Sequence, residues 1–322
     1  MRQITLGRSG LRVSRVAFGT WQLGGDWGPT DTDAAVAAIQ RAADLGVTFF
    51  DTAQAYGFGA SERLLAQALR GRPRDELVIA TKGGLRPNGT GVARDASAAR
   101  ILEGVEDSLR ALETDYVDLY QVHWPDPATP FEETATALAK LVADGKVRHV
   151  GVSNFDVAQI EAFSATLPVE TVQPPYHLFR REIERELLPF TTAHDIGVLV
   201  YGPLAHGLLG GHLDSHTHFT EGDWRSKSTV FHGPDFERNL GAVTALNELA
   251  ERELQITIGQ LAIAWVLANT HVHVAIVGTR DPRHVDDAIA AADVTLDAAT
   301  MRKIDEIMED AIPVAGPSPE MM

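Results

Sequence analysis

Eight short apolar runs rich in β-branched residues alternate with longer segments of helical period, and no other feature constrains the fold as much. The runs are "RVAFG" (15–19), "VTFFD" (47–51), "LVIATK" (77–82), "VDLYQVH" (117–123), "VRHVGVSN" (147–154), "TVQPPY" (171–176), "GVLVYG" (197–202) and "VAIVGT" (274–279). Their near-continuous apolar character predicts strands covered on both faces. Between them, "SAARILEGVEDSLRAL" spaces Ile101, Val105 and Leu109 four apart, with Leu102 and Leu112 extending the stripe. Ser61 can cap the helix "ERLLAQALRG", Gly71 can end it, and Gly145 can close "EETATALAKLVADG". In the sixth run, Pro174 and Pro175 cut strand pairing short.

Eight strand-helix units in 322 residues predict an α/β fold, a closed (β/α)8 TIM barrel, rather than a doubly wound sheet. The Gly-rich turns of open nucleotide-binding sheets are missing, because "GFGASE" has Glu62 where the third glycine would stand. The opening "ITLGRSGLRVSRV" predicts a hairpin that precedes the barrel and closes its floor. One domain is expected over 1–322, with a loose Pro-rich tail from about 313. Residues 203–240, after strand seven, form an oversized connection read as a lid. The stretch "IGQLAIAWVLANT", apolar nearly all round, is read as packing between barrel and helix ring.

Composition narrows the function classes. A net charge of -16, from 44 acidic and 28 basic residues, repels nucleic acid and anionic membranes, so an anionic cofactor needs a local basic pocket. With no cysteine there is no disulfide, thiolate or cysteine-metal chemistry. No apolar stretch approaches the ~20 residues of a membrane-spanning helix, and the N-terminus lacks a signal core, so a cytoplasmic protein is expected. The histidines at 206, 212, 216 and 218 are read as a polar lid and not as a metal site.

Active sites of such barrels lie at the C-terminal ends of the strands. Strand two ends in Asp51, three in Lys82, four in His123, five in Ser153 and Asn154, six past Gln173, seven in Tyr201, and eight in Gly278 and Thr279. Tyr56 follows in the glycine-rich loop "DTAQAYGFGASE". Each residue alone has a structural explanation; together they converge on one rim. A phenol near pKa ~10 is a poor acid at neutral pH unless a cation stabilises its phenolate. Lys82 can supply that cation, Asp51 can keep it charged, and His123 can orient a substrate oxygen. A tyrosine acid without nucleophile or metal points to carbonyl reduction with hydride from a cofactor.

The segments "FDTAQAYGFGASE", "IATKGG", "DLYQVHWPD", "VGVSNF", "VQPPYHL", "VYGPLAHGLLGG" and "IVGTRDPRHVDDAIAAAD" occur in an order that resembles the aldo-keto reductases over essentially the whole chain. The resemblance implies reduction of an aldehyde or ketone by a nicotinamide dinucleotide, NADPH before NADH. It implies Tyr56 as acid-base residue, tuned by Lys82 and Asp51, with His123 completing the set. Ser153, Asn154 and Gln173 would hold the carboxamide, and Tyr201 would stack on the ring. Gly202, Pro203 and Leu204, with Arg225, would meet the pyrophosphate. Gly278, Arg280, His284 and Asp287 would hold the adenosine and its 2'-phosphate. Thr20 and Trp21 are implied at the cofactor, and Trp21, Trp27, Tyr56 and Trp124 at an aromatic substrate pocket. His212 stands where relatives carry a lysine, and Gly202 where many carry serine, which bears on cofactor choice. Similar barrels also serve as cofactor-sensing subunits of potassium channels, the alternative reading. A barrel hydrolase or isomerase finds no paired carboxylates here.

Overall fold

In the computed structural model, which describes residues 1–25, 27, 30–89, 91–220 and 222–319, each apolar run contributes one strand. These are β1 (Val16–Gly19), β2 (Phe49–Asp51), β3 (Val78–Gly83), β4 (Val117–Val122), β5 (Val147–Ser153), β6 (Thr171–Gln173), β7 (Gly197–Tyr201) and β8 (Val274–Val277). All are parallel and pair in chain order, and β8 closes on β1 to complete the barrel. The strand β6 stops at Gln173 because Pro174 has no N–H to continue the ladder. The register sets Gly19 beside Asp51 and Lys82 beside Gln121, which brings the strand ends to one level.

The helices α1 (Thr32–Asp44), α2 (Ala60–Leu69), α3 (Ala98–Leu112), α4 (Phe131–Ala143), α5 (Val157–Ser164), α6 (Leu187–Ala193), α7 (Gly233–Leu249), α8 (Ile258–Ala268), α9 (Arg283–Ala290) and α10 (Ala298–Met308) surround it. The stripe of α3 is buried at Ile101, Val105, Leu109 and Leu112, and Ser97 caps the helix by accepting from the Arg100 N–H. Gly145, in the left-handed region at φ 75°, follows α4 as expected. Trp265 of α8 is buried against Tyr176, with ring centroids 5.0 Å apart.

Two layers fill the barrel. Its floor is a separate apolar cluster of Leu6, Val13, Ala17, Phe49, Ala80, Leu119, Leu199, Val274 and Ile276. Leu6 and Val13 come from the N-terminal hairpin, whose strands Gln3–Thr5 and Arg12–Ser14 pair antiparallel beneath the barrel. Side chains two residues on share a strand face. The layer above the floor therefore carries Asp51 over Phe49, Lys82 over Ala80, Gln121 over Leu119 and Tyr201 over Leu199. That change from apolar to polar in one step along these four strands creates the site.

Two local expectations change, and one element is new. Ser61 does not cap α2; the N-cap is Gly59, and the Ser61 hydroxyl is buried 2.7 Å from that of Thr20, so it ties two loops together. The strands Leu85–Asn88 and Gly91–Arg94 pair antiparallel as a second hairpin. The long connection ends at α7, which starts at Gly233 with Pro234 in its first turn. Of that connection Glu221 lies outside the described residues, as do residues 320–322 of the tail. Val314 is buried, and its N–H donates to the Phe179 carbonyl at 3.0 Å. No helix among the described residues is long and apolar enough to cross a membrane.

Candidate active site

At the centre of the rim, Lys82 Nζ donates to Asp51 Oδ1 at 2.5 Å, to the Thr52 carbonyl at 3.0 Å and to the Tyr56 hydroxyl at 3.4 Å. The Lys82 and Asp51 side chains are 1% and 3% exposed, so this ion pair is closed to solvent. Burial lowers the Lys82 pKa; the Asp51 carboxylate, by charge and by hydrogen bond, opposes that loss. Asp51 is itself held from the far side, because Gln173 Nε2 donates to Oδ2 at 2.8 Å and Gln121 Nε2 at 3.4 Å.

The loop after β2 brings Tyr56 over this pair. Gly57 takes φ 65°, and a Cβ there would lie 2.7 Å from the Gly24 carbonyl oxygen. Gly24, in the loop after β1, presses on the Tyr56 backbone, where an added Cβ would stand 2.8 Å from Cα. His123 packs edge-on to the phenol, with ring centroids 5.6 Å apart. Its Nδ1 has no hydrogen-bond partner among the described residues. Burial, and then the Lys82 charge, push its pKa well below the ordinary value, so the imidazole is neutral.

Beside this set, the Ser153 hydroxyl donates to the Gln173 carbonyl at 2.9 Å, and the Tyr201 hydroxyl donates to Asn154 Oδ1 at 2.8 Å. Asn154 takes φ 62°, turning its amide to donate to the His123 carbonyl at 3.1 Å. Burial raises the Tyr201 phenol to about 12.

A cavity of about 490 Å³ opens above these residues. Tyr56, His123 and Trp124 face it from the β2 and β4 loops, Gly278 and Arg280 from the loop after β8, and His284 from the start of α9. Thr20, Trp21, Trp27, Asp51, Ser153, Asn154, Gln173, Tyr201, Gly202, Pro203, Leu204, His212 and Arg225 complete the expected part of its lining. Lys82 lies beneath the wall. Asp287 stands apart, exposed on α9 and outside the wall, nearly one helical turn further along the helix than His284.

The connection after β7 covers the cavity. Backbone φ is positive at Gly202 (68°), Ala205 (47°), His206 (58°) and Gly207 (97°), conformations unusual for Ala and His and typical of functional loops. Further on, Trp224 lies 5.1 Å from His206 and 5.9 Å from Trp27, while Trp27 meets Trp21 edge-on at 5.1 Å. Asp223 holds Arg225 at 2.6 Å, the Arg225 guanidinium donates to the His206 carbonyl at 3.0 Å, and it covers the Trp27 ring at 4.7 Å. Arg280 donates to the Trp27 carbonyl at 2.9 Å, and His212 stacks on His284 at 5.7 Å. Thus an acidic protein concentrates the guanidiniums of Arg225 and Arg280 and the imidazoles of His212 and His284 along one cavity, donors suited to an anionic ligand.

Sequence reasoning missed Gln121, Gln22 and Trp224, and it read His206 as part of a polar lid, whereas His206 is buried in the cavity wall. Gln121 was detectable, since it lies two residues before His123 and so on the same strand face. The others sit in irregular loops with no periodicity to place them.

Comparison with known proteins follows this geometry. The model of the Aldo/keto reductase family matches residues 15–309. The chain is 40% identical to aldo-keto reductase YhdN of Bacillus subtilis (strain 168), over 97% of this chain and 95% of that protein. It is 38% identical to glycerol dehydrogenase AKR11B4 from Gluconobacter oxydans, whose solved structure aligns with a TM-score of 0.87 over 100% of this chain and 98% of the other. An aldo/keto reductase from Klebsiella pneumoniae, solved in complex with NADP and acetate, is 30% identical with a TM-score of 0.74, covering 99% and 98%.

Proposed function

The chain belongs to the aldo/keto reductase family and is an oxidoreductase, and on that premise we propose that it reduces a small-molecule aldehyde or ketone with NADPH, Tyr56 giving the proton. The observation that carries this reading is the solvent-free Asp51–Lys82 pair, with Lys82 Nζ 3.4 Å from the Tyr56 hydroxyl at the base of an open cavity.

When bound, the nicotinamide cofactor supplies hydride. Tyr56 then passes its hydroxyl proton to the carbonyl oxygen, and the phenolate left behind is stabilised by Lys82. Asp51 keeps Lys82 protonated against the pull of burial. Neutral His123 donates one N–H to the carbonyl oxygen and orients it, without competing as an acid. In the reverse direction the same phenolate accepts the alcohol proton.

For the cofactor we assign Ser153, Asn154 and Gln173 to the carboxamide end, and Tyr201 to the ring face. Thr20 and Trp21 flank that end, and Gly202 to Leu204 with Arg225 meet the pyrophosphate. Gly278, Arg280, His284 and His212 are assigned to the adenosine end, and Asp287 lies on α9 just outside the cavity lining. NADPH is favoured by the basic groups at that end, and NADH remains the comparison to measure. Trp21, Trp27, Tyr56 and Trp124 give the substrate an aromatic-walled mouth. The chain acts as one barrel domain, and a cytoplasmic setting fits its cysteine-free composition.

The test is a fluorescence titration with NADPH and NADH, followed by absorbance assays against aldehydes, ketones and sugars. Binding with cofactor oxidation supports the reading. Binding without turnover across the panel moves the protein to a cofactor-sensing role, and no binding of either dinucleotide overturns the assignment.

A further inference from the structure

Behind the barrel wall lies a carboxyl group that the reaction above does not use. Glu62, in the first turn of α2, is fully buried. Its Oε1 accepts from the Thr81 hydroxyl at 2.7 Å, and its Oε2 has no hydrogen-bond partner among the described residues. The groups facing it are Thr81 on β3, Asp107 and Ser108 on α3, Tyr120 on β4 and Arg63 beside it on α2, and its charge also reaches Lys82 on β3. Burial raises its pKa, while the hydroxyls of Thr81 and Ser108 and the charge of Arg63 oppose the rise. An apolar side chain of the same shape would fill this space at a lower desolvation cost.

Its place in the chain suggests why a carboxyl stands there. Glu62 follows the Tyr56 loop, and Thr81 immediately precedes Lys82. The loop turns through three successive positive-φ residues, Gly57, Phe58 and Gly59, before it enters α2. Its end is tied down twice. Ser61 bonds to Thr20 at 2.7 Å and lies 3.2 Å from the Thr52 hydroxyl, and Glu62 binds Thr81. The first tie fixes the end of the loop to β1 and β2, and the second fixes that end to β3, the strand that carries Lys82 and to which the start of the loop is also bonded, the Gln54 N–H donating to the Lys82 carbonyl at 3.0 Å.

We propose that Glu62 is a positioning residue whose hydrogen bond from Thr81 sets the distance between the Tyr56 hydroxyl and Lys82 Nζ. This rests on the assignment of Tyr56 as proton donor. Loss of the tie lets the phenol drift from the cation, so Tyr56 becomes a weaker acid while the cofactor cavity, on the other side of the wall, is untouched.

The experiment compares Glu62→Ala, Glu62→Gln, Thr81→Val and Thr81→Ser with the wild type, each confirmed folded by circular dichroism. The readouts are kcat and KM for carbonyl reduction against pH, and NADPH affinity by fluorescence. Glu62→Ala and Thr81→Val should lose about tenfold or more in kcat, with the alkaline limb moved upward by about half a pH unit. NADPH affinity should stay within about threefold. Glu62→Gln and Thr81→Ser, which preserve an acceptor and a hydroxyl, should recover most of the turnover. The proposal is overturned if Glu62→Ala and Thr81→Val keep wild-type kcat, if they lose turnover with an unmoved pH profile, or if Glu62→Gln is as damaged as Glu62→Ala. Should Glu62→Ala fail to fold, the near-isosteric Thr81→Val decides alone. Failure of the underlying reading would look different, with the wild type reducing no carbonyl or Tyr56→Phe turning over normally.

Discussion

Asp51 and Lys82 meet at 2.5 Å across adjacent strands, with both side chains almost wholly closed to solvent. Neither residue is comfortable there alone. A buried ammonium without a counterion loses its proton, and a buried carboxylate without donors gains one.

Asp51→Asn should therefore cost stability and activity together. Removing one member of a buried pair typically costs about 3–5 kcal/mol. Without the carboxylate, the Lys82 pKa falls further below its ordinary value. The native state then binds fewer protons than the unfolded chain between the two values, and stability rises with pH across that window. The deficit against wild type should be larger near pH ~7 than near pH ~9.5. Urea melts at both pH values check this, and an equal deficit would contradict it.

Tyr56→Phe removes the proton donor and leaves Lys82, Asp51 and His123 in place. The expected result is a drop in kcat of roughly 10²–10⁴-fold with little change in NADPH affinity. Stopped-flow turnover and fluorescence titration on the same preparation separate the two quantities.

Gly24→Ala tests positioning from the opposite side of the loop. The new Cβ would stand 2.8 Å from Tyr56 Cα, a backbone atom that cannot swing away. Displacing the phenol by a fraction of an ångström should lower kcat by about 10–100-fold. Unchanged turnover would show that this contact does not position the phenol.

Acid should unfold the protein through its buried imidazoles. His123, His177 and His206 all have lowered pKa values through burial, His206 to about 3. The unfolded chain binds these protons near pH ~6.5 and the native state does not. Their contribution to stability should thus be level above that pH and fall below it, by up to about 4 kcal/mol per pH unit if all three act. Thermal melts from pH ~8 to ~4.5 follow the slope, and a flat profile down to pH ~5 would rule out this account.

Much of the site was legible before any coordinates. Asp51, Lys82 and His123 stand at the ends of apolar runs, and a barrel has only one face on which strands end. Tyr56 was legible as the phenol in the first of those loops. The lid was legible only as an excess of length. That Trp224 closes on Trp27, and that Asp223 engages Arg225, arises in a segment where neither period nor capping pattern applies. Gln121 hid inside "DLYQVH", which scans as apolar, although the strand period of two aims it at Asp51.

The sequence by itself determined the barrel, because alternating periods of two and about 3.6 residues are local properties of the chain. It also determined which residues reach the rim. Only the tertiary structure decided that Lys82 is solvent-free against Asp51, that Glu62 binds Thr81 behind the wall, and that Asp287 misses the cavity. The physical reason is that desolvation and hydrogen-bond partners depend on atoms distant in sequence. A carboxylate at a strand end reads the same whether it meets water, a helix cap or a buried lysine 31 residues away.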